Sequence, residues 1–237
     1  MKRLTPSLLA LGVAAFTAGP LAAEPLPLPE LPGELSANVA ITTDYRFRGF
    51  SQTDLGPAIQ GGFDYGIGIF YLGTWASSVD FGDDTTMEID FYGGIAPSIG
   101  PVDLDLGIIY YAYPDSPDEP DQEFIEYYAG AGTTLAEFLD VGVSVAYSDD
   151  FYLESGESFY TNLTAGVPLG KYFGLDGSYG ISTFDEDGTD DYEDYSVGLT
   201  TSAYGLDLDL RYIGTSGVEG DPSAADDTVV FTVGKSF

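Results

Sequence analysis

Read in steps of two from position 102, the chain places Val102, Leu104, Leu106, Ile108 and Tyr110 on one parity and Asp103, Asp105 and Gly107 on the other. The pattern returns with Leu206, Leu208, Leu210 and Tyr212 against Asp207, Asp209 and Arg211. It closes the chain with Val229, Phe231, Val233, Lys235 and Phe237 against Thr232, Gly234 and Ser236. A period of two is that of a β-strand with chemically different faces. Twelve such segments are predicted, at 37–49, 57–65, 69–79, 87–99, 102–113, 123–132, 139–148, 158–169, 172–182, 191–202, 206–215 and 226–237. Each is close to the ~9–11 residues that a tilted membrane strand needs.

The connections alternate in length. Gly66-Ile67-Gly68, Gly100-Pro101, 133–138, Gly170-Lys171 and Ala203-Tyr204-Gly205 are short, whereas 49–56, 80–86, 114–122, 149–157, 183–190 and 216–225 are longer and mostly acidic. Short periplasmic turns, longer external loops, an even strand number and both termini on one side describe a bacterial outer-membrane barrel. A soluble sandwich or propeller also has many short strands. Aspartates at alternate positions would be costly in its dry core, so the acidic parity is expected to face water and the apolar parity lipid. The aromatic pairs Tyr45/Phe47, Tyr110/Tyr111 and Tyr127/Tyr128 are then expected to form interfacial girdles. The predicted class is all-β, a transmembrane antiparallel barrel of about 12 strands.

The N-terminus agrees with export. Met1-Lys2-Arg3, an apolar stretch from Leu8 to Ala18 and the exit Leu21-Ala22-Ala23 have the three regions of a secretory signal. Residues 1–23 are read as a cleaved signal peptide, 24–36 as a Pro-rich periplasmic lead-in with four prolines, and 37–237 as the barrel. Removing Lys2 and Arg3 leaves five basic residues against 39 acidic ones and takes the net charge from −32 to −34. Such a polyanion excludes nucleic acid as a partner and favours cations, although acidic loops also serve simply to keep a protein dispersed. The chain has no cysteine and no histidine. Disulfides, imidazole metal ligands and Ser-His catalysis are thereby excluded. No apolar stretch is long enough for a membrane helix, and a closed barrel is the other way to pair every backbone amide in lipid.

Tyr45-Arg-Phe-Arg-Gly-Phe-Ser-Gln-Thr53 and the residues on to Tyr65, followed by Phe70-Tyr-Leu-Gly-Thr-Trp-Ala-Ser-Ser-Val-Asp-Phe81, resemble the opening strands of the TorF family of outer-membrane porins. The similarity continues through Glu88-Ile89-Asp90-Phe91-Tyr92 and Tyr152 to Tyr160, and so covers most of the mature chain. It implies an outer-membrane barrel in a Gram-negative bacterium and leaves the solute open. The C-terminal residues Phe231, Val233 and Phe237 resemble the signal that such barrels present to their assembly machinery, with Lys235 standing where that signal is usually apolar.

With the first strand running to Gly49, Asp44, Arg46 and Arg48 are expected on its inward face, and Glu88, Asp90 and Glu126 near the tops of other strands, giving a mixed-sign constriction. Asp64, Asp103, Asp105, Asp140, Asp176, Asp207 and Asp209 are expected to make the periplasmic mouth uniformly negative, with Arg211 also lining the pore. Acidic rings favour cations. Small inward residues such as Gly94, Ala96, Ser98, Gly142, Ser144, Ala146, Ser178 and Gly180 suggest open space. The leading reading is a passive channel for small polar, preferentially cationic solutes, without cofactor. The alternative is a barrel plugged by its own ion pairs, a structural or interaction protein whose acidic loops bind divalent cations or lipopolysaccharide. The run from Asp185 through Asp187 to Asp190 offers oxygen ligands for calcium but lacks EF-hand spacing, so no metal site is assigned. Enzymatic activity is not expected, because no histidine is present and the carboxylates concentrate in loops. Nothing in the sequence sets an oligomeric state.

Overall fold

The computed structural model describes residues 32–117, 120–185, 190–220 and 222–237. The segment read as a signal peptide and most of that read as a Pro-rich lead-in lie outside the described residues, as do 118–119, 186–189 and Asp221.

Twelve antiparallel strands form the barrel wall. They are β1 (Glu34–Thr42), β2 (Ala58–Ile67), β3 (Phe70–Ser78), β4 (Met87–Ile95), β5 (Val102–Ala112) and β6 (Phe124–Leu135), followed by β7 (Leu139–Ser148), β8 (Ser158–Leu169), β9 (Phe173–Phe184), β10 (Tyr192–Ala203), β11 (Leu206–Ser216) and β12 (Thr228–Ser236). Every strand pairs with its neighbours in sequence, and β1 pairs with β12 from Asn38↔Ser236 to Thr42↔Thr232, which closes the sheet. Closure removes the unpaired edges that an open sheet would present. Two more residues, Ser98 and Ile99, pair with Asp103 and Val102 below β4.

The alternating pattern sorts as a barrel requires. Along β1, Val39 and Ile41 are exposed outward while Ala40 and Thr42 are buried inward. On β5, Leu106 and Ile108 face out whereas Asp105, Ile109 and Tyr111 are buried inside. The outer surface carries Phe63, Phe70, Leu72, Phe91, Leu163 and Val229 as exposed side chains, a continuous apolar coat that water would not tolerate over such an area. Near the short turns it ends in Phe138, Tyr172, Tyr204 and Phe237. Near the long loops, outward Tyr110, Tyr147 and Tyr212 donate hydrogen bonds to Glu123, Glu157 and Asp227 of the adjoining loops. Their rings stay apolar while their hydroxyls reach polar ground, the property that places tyrosine at membrane interfaces.

These residues correct the expected girdles. Tyr45 and Phe47 do not face outward at all. Within Tyr110/Tyr111 and Tyr127/Tyr128 only the first of each pair does; Tyr111 and Tyr128 point into the lumen. Adjacent residues of one strand take opposite faces, so each pair is divided by the wall it belongs to.

The largest departure concerns the first strand. It starts at Glu34, inside the segment read as lead-in, and ends at Thr42 rather than Gly49. After Thr43, whose amide still bonds to Phe231, the chain leaves the wall and turns into the barrel, where Arg46–Phe47 pairs with Phe50–Ser51 as a small hairpin. Its turn is Arg48-Gly49, with φ of 47° and 89°. A two-residue hairpin turn of the mirror-image type needs positive φ at both central positions. Glycine supplies that freely and arginine at some steric cost.

Candidate functional site

The lumen divides into two halves. Toward the long loops it is filled. Ile109, Tyr111, Tyr113 and Phe124 form a buried cluster against which Phe47 of the hairpin, Phe81 of the 79–86 loop and Phe151 and Tyr152 of the 149–157 loop pack. Tyr111 stacks on Phe124 at 4.2 Å between centroids, and Phe151 meets Phe124 edge-on at 4.6 Å. Three connections therefore close over one aromatic core inside the barrel.

Arg48, at the hairpin tip, is the keystone of that core. One terminal nitrogen donates to both oxygens of Glu126, at 2.6 and 2.8 Å, with the arginine side chain 4% and the glutamate 0% accessible. Its guanidinium lies 4.1 Å from the Tyr160 ring centroid and 4.7 Å from that of Phe47. Burial opposes the arginine charge, but the Glu126 carboxylate outweighs it and Arg48 is held in its charged form. Tyr111 donates a further bond to Glu126 at 3.0 Å. Beside this pair, Glu88 accepts from Tyr45 at 2.8 Å and Tyr113 at 3.1 Å. Burial, reinforced by the charges of Glu88 and Asp90, pushes the Tyr45 phenol up from its ordinary range, so it stays a hydrogen-bond donor. Asp90 is 3% exposed and its Oδ1 has no partner among the described residues.

The hairpin base is held separately. Asp44 accepts from Arg46 Nε at 2.6 Å, Ser51 at 2.7 Å and Thr53 at 3.2 Å. Arg46 Nη1 donates to the carbonyls of Gly49, Ala224 and Asp226, tying the hairpin to the last loop. A backbone bond from Asp80 to Gln52 at 2.8 Å joins it to the 79–86 loop.

Arg48 is thus brought to Glu126, while Asp44 and Arg46 pair with each other at the hairpin base, and all three come from a loop and not from the first strand. The alternation of residues 37–49 is real in sequence. It fails in space because both parities of 44–51 lie within the barrel, where Tyr45 and Phe47 pack their rings against the inner wall instead of lipid. An Arg-Gly turn is also a poorer signal than the Asn-Gly or Asp-Gly that usually marks such hairpins.

Toward the short turns the lumen is lined by carboxylates, each held by a neighbour. Tyr92 donates to Asp64, Tyr71 to Asp105, Ser98 to Asp103, Thr134 to Asp140 and Ser202 to Asp207. Arg211 bridges Asp176 at 2.7 Å and Asp209 at 2.9 Å. The hydroxyl donors leave the carboxylates their charge, and Arg211 offsets part of it; Asp105 is buried, and the tyrosine that bonds it, Tyr71, also meets Tyr128. The inward glycines are not simply open space. A Cβ on Gly94 would stand 2.5 Å from the Tyr71 hydroxyl, and one on Gly180 would stand 2.3 Å from that of Tyr160. Glycine on one strand makes room for tyrosine on the next.

Between the hairpin and the β1–β3 and β11–β12 walls a cavity of about 150 Å³ remains, lined by Asn38, Thr42, Gln60, Trp75, Arg46 and Arg211 among others. Trp75 and the cavity were not foreseen, since nothing in the alternation marks which inward side chains border unfilled volume. Asp185 and Asp190 flank residues outside the described set, and Asp187 is one of these; among the described residues no three carboxylates group as metal ligands. Phe231 and Phe237 are exposed on the outward parity of β12, with Lys235 Nζ 5.5 Å from the Phe237 ring.

A closed 12-stranded antiparallel barrel with almost no helix matches solved structures of outer-membrane porins. By sequence, the chain belongs to the Gcw_chp family, bacterial proteins of unknown function, whose profile matches residues 28–237. The match supports the coarse part of the TorF resemblance, a family of unknown function with a porin-like barrel; the TorF name itself rests on the sequence segments given above. No curated protein sequence matches. Among solved structures the barrel is similar to the KdgM porin, with a TM-score of 0.58 and 7% identity over 85% of this chain and 98% of that one. The NanC porin gives 0.55 and 9% over 85% and 98%. The COG4313 outer membrane channel from Pseudomonas putida F1 gives 0.55 and 12% over 91% and 100%. At such identities the likeness is one of fold.

Proposed function

We propose that this protein is an outer-membrane channel for the passive diffusion of small polar solutes, with a preference for cations, exported by a cleaved signal peptide and assembled through its C-terminal strand. The observation that carries the reading is the contrast between the two faces of the closed wall. The outside is an apolar coat bounded by aromatics, and the inside is lined with carboxylates that outnumber Arg46, Arg48 and Arg211. A wall of this kind is stable only between lipid and water. The fold it shares with porins supports the same reading, as does the cavity left beside the hairpin. KdgM has been solved with oligogalacturonate, a polyanion; an acidic lumen argues against a polyanionic solute here and for neutral or cationic ones. The chain has no histidine to serve as a general base, and we assign no enzymatic activity.

The filled loop half favours a second reading, a barrel plugged at rest. Arg48 and Glu126 are buried together and the aromatic core seals around them. Planar-bilayer recording of the refolded mature chain separates the two. Discrete steps with a cation-selective reversal potential under a salt gradient support the channel; a folded, heat-modifiable barrel that stays silent supports the plug.

A further inference from the structure

We propose that the cavity beside the hairpin is a binding subsite for a small neutral polyhydroxylated solute of pyranose size; the proposal rests on the channel reading and specifies its solute class. The charges bordering the cavity cancel in place, Asp44 with Arg46 at 2.6 Å and Asp209 with Arg211 at 2.9 Å. Little net field is left there to hold a free ion, although the lumen on either side is acidic.

What remains for a solute is hydrogen-bonding capacity without net charge, and one aromatic side chain at the border. Asn38 and Gln60 bring amides from β1 and β2, and Thr42 and Thr232 bring hydroxyl oxygens that can still accept, their own protons being given to the Asp44 carbonyl and to Thr42. Gln60 uses only its Nε2 on the protein, in a long 3.4 Å contact with Ser77, so its carbonyl oxygen is free to accept. Arg46 commits Nε and Nη1 to the hairpin and the last loop, leaving Nη2 without a partner among the described residues. Trp75, the chain's single tryptophan, borders the same space and is held edge-on by Tyr45 at 5.3 Å. Amide, guanidinium and hydroxyl groups lining a space that an indole also borders match a sugar ring, whose hydroxyls need donors and acceptors and whose C–H groups pack on an aromatic. A cavity of this volume accommodates a six-membered ring. Preorganised polar groups in a half-open site give orientation without strong affinity, which suits a passage site that must also release.

Trp75 supplies the assay. Refolded mature protein in detergent micelles is titrated with glucose while tryptophan emission is followed, with potassium chloride and choline chloride as controls; liposome swelling in glucose is measured in parallel. The expected result is a saturable emission change with glucose and none with either salt, shifted at least tenfold to higher concentration in Asn38→Ala/Gln60→Ala. A strictly linear glucose response, an unchanged curve in the double variant, or saturation by choline in place of glucose would overturn the proposal. Swelling without saturable emission removes the subsite and leaves the channel standing; saturable emission without swelling keeps the subsite and removes the channel. Heat-modifiable migration of the variant shows that it has folded, and Asn38→Asp repeats the test should the double variant fail that check.

Discussion

Replacing Arg48 by methionine should unlock the hairpin. The Arg48–Glu126 contact is a buried ion pair, 2.6 Å between nearest atoms, with the carboxylate wholly enclosed. Removing the cation leaves Glu126 with only the Tyr111 hydroxyl as a side-chain partner among the described residues. Breaking one side of such a pair typically costs about 3–5 kcal/mol, because a charge stays buried without compensation. At about 3 kcal/mol the docked state loses roughly a hundredfold against the undocked one. Removing both charges with Arg48→Met and Glu126→Gln keeps an acceptor for Tyr111 and should recover most of the loss, since replacing both members of a buried pair is often close to neutral. Urea titrations of the wild type, both single variants and the double variant in detergent complete a double-mutant cycle, with single-channel recording alongside. The expected coupling is above 2 kcal/mol, and Arg48→Met should conduct more often or through larger steps. Coupling below about 0.5 kcal/mol, the scale of exposed pairs, would mean that the pair is solvated and that Arg48 holds nothing shut.

Arg211→Ala should free Asp176 and Asp209 and move the reversal potential further toward cations; an unmoved potential would take that mouth out of the permeation path. Gly107→Ala sets a Cβ 2.3 Å from the Tyr128 hydroxyl and 2.8 Å from the Gly93 carbonyl, and should destabilise by about 1–3 kcal/mol in urea unfolding. Gly130→Ala meets nothing nearer than 3.7 Å and should fall within about 1 kcal/mol of wild type. Asp83 accepts from the Thr85 amide at 2.7 Å and the Gln122 amide at 2.8 Å, bonds that hold its carboxyl below the usual carboxylate range. Because the folded value is the lower one, this contribution is complete above the ordinary carboxylate pKa of about 3.9 and fades as the pH falls through the folded value. Protection of the Thr85 amide, corrected for intrinsic exchange, should therefore hold at pH 5 and drop in the acid range, while Asp83→Asn should be flat across it.

The period-two alternation, the turn chemistry and the alternating connection lengths were enough to give twelve strands, their order and the outward parity of most. These are local properties: each strand must show one face to lipid and one to the lumen, and that requirement is written at every second residue. The alternation of 37–49 shows where this logic ends. A residue's parity says which way it points from a wall, not whether the chain is still in the wall, and the hairpin at Arg46–Ser51 is held in place by partners from 78 to 180 residues away, Glu126, Ala224 and Asp226. The same holds for Tyr111 and Tyr128, divided from Tyr110 and Tyr127 by the wall, and for the glycines filled by a neighbour's tyrosine. Which carboxylate meets which arginine, and where volume is left over beside Trp75, depends on registers and packing that bring distant positions to one side of a closed surface. Only the closed barrel fixes those distances.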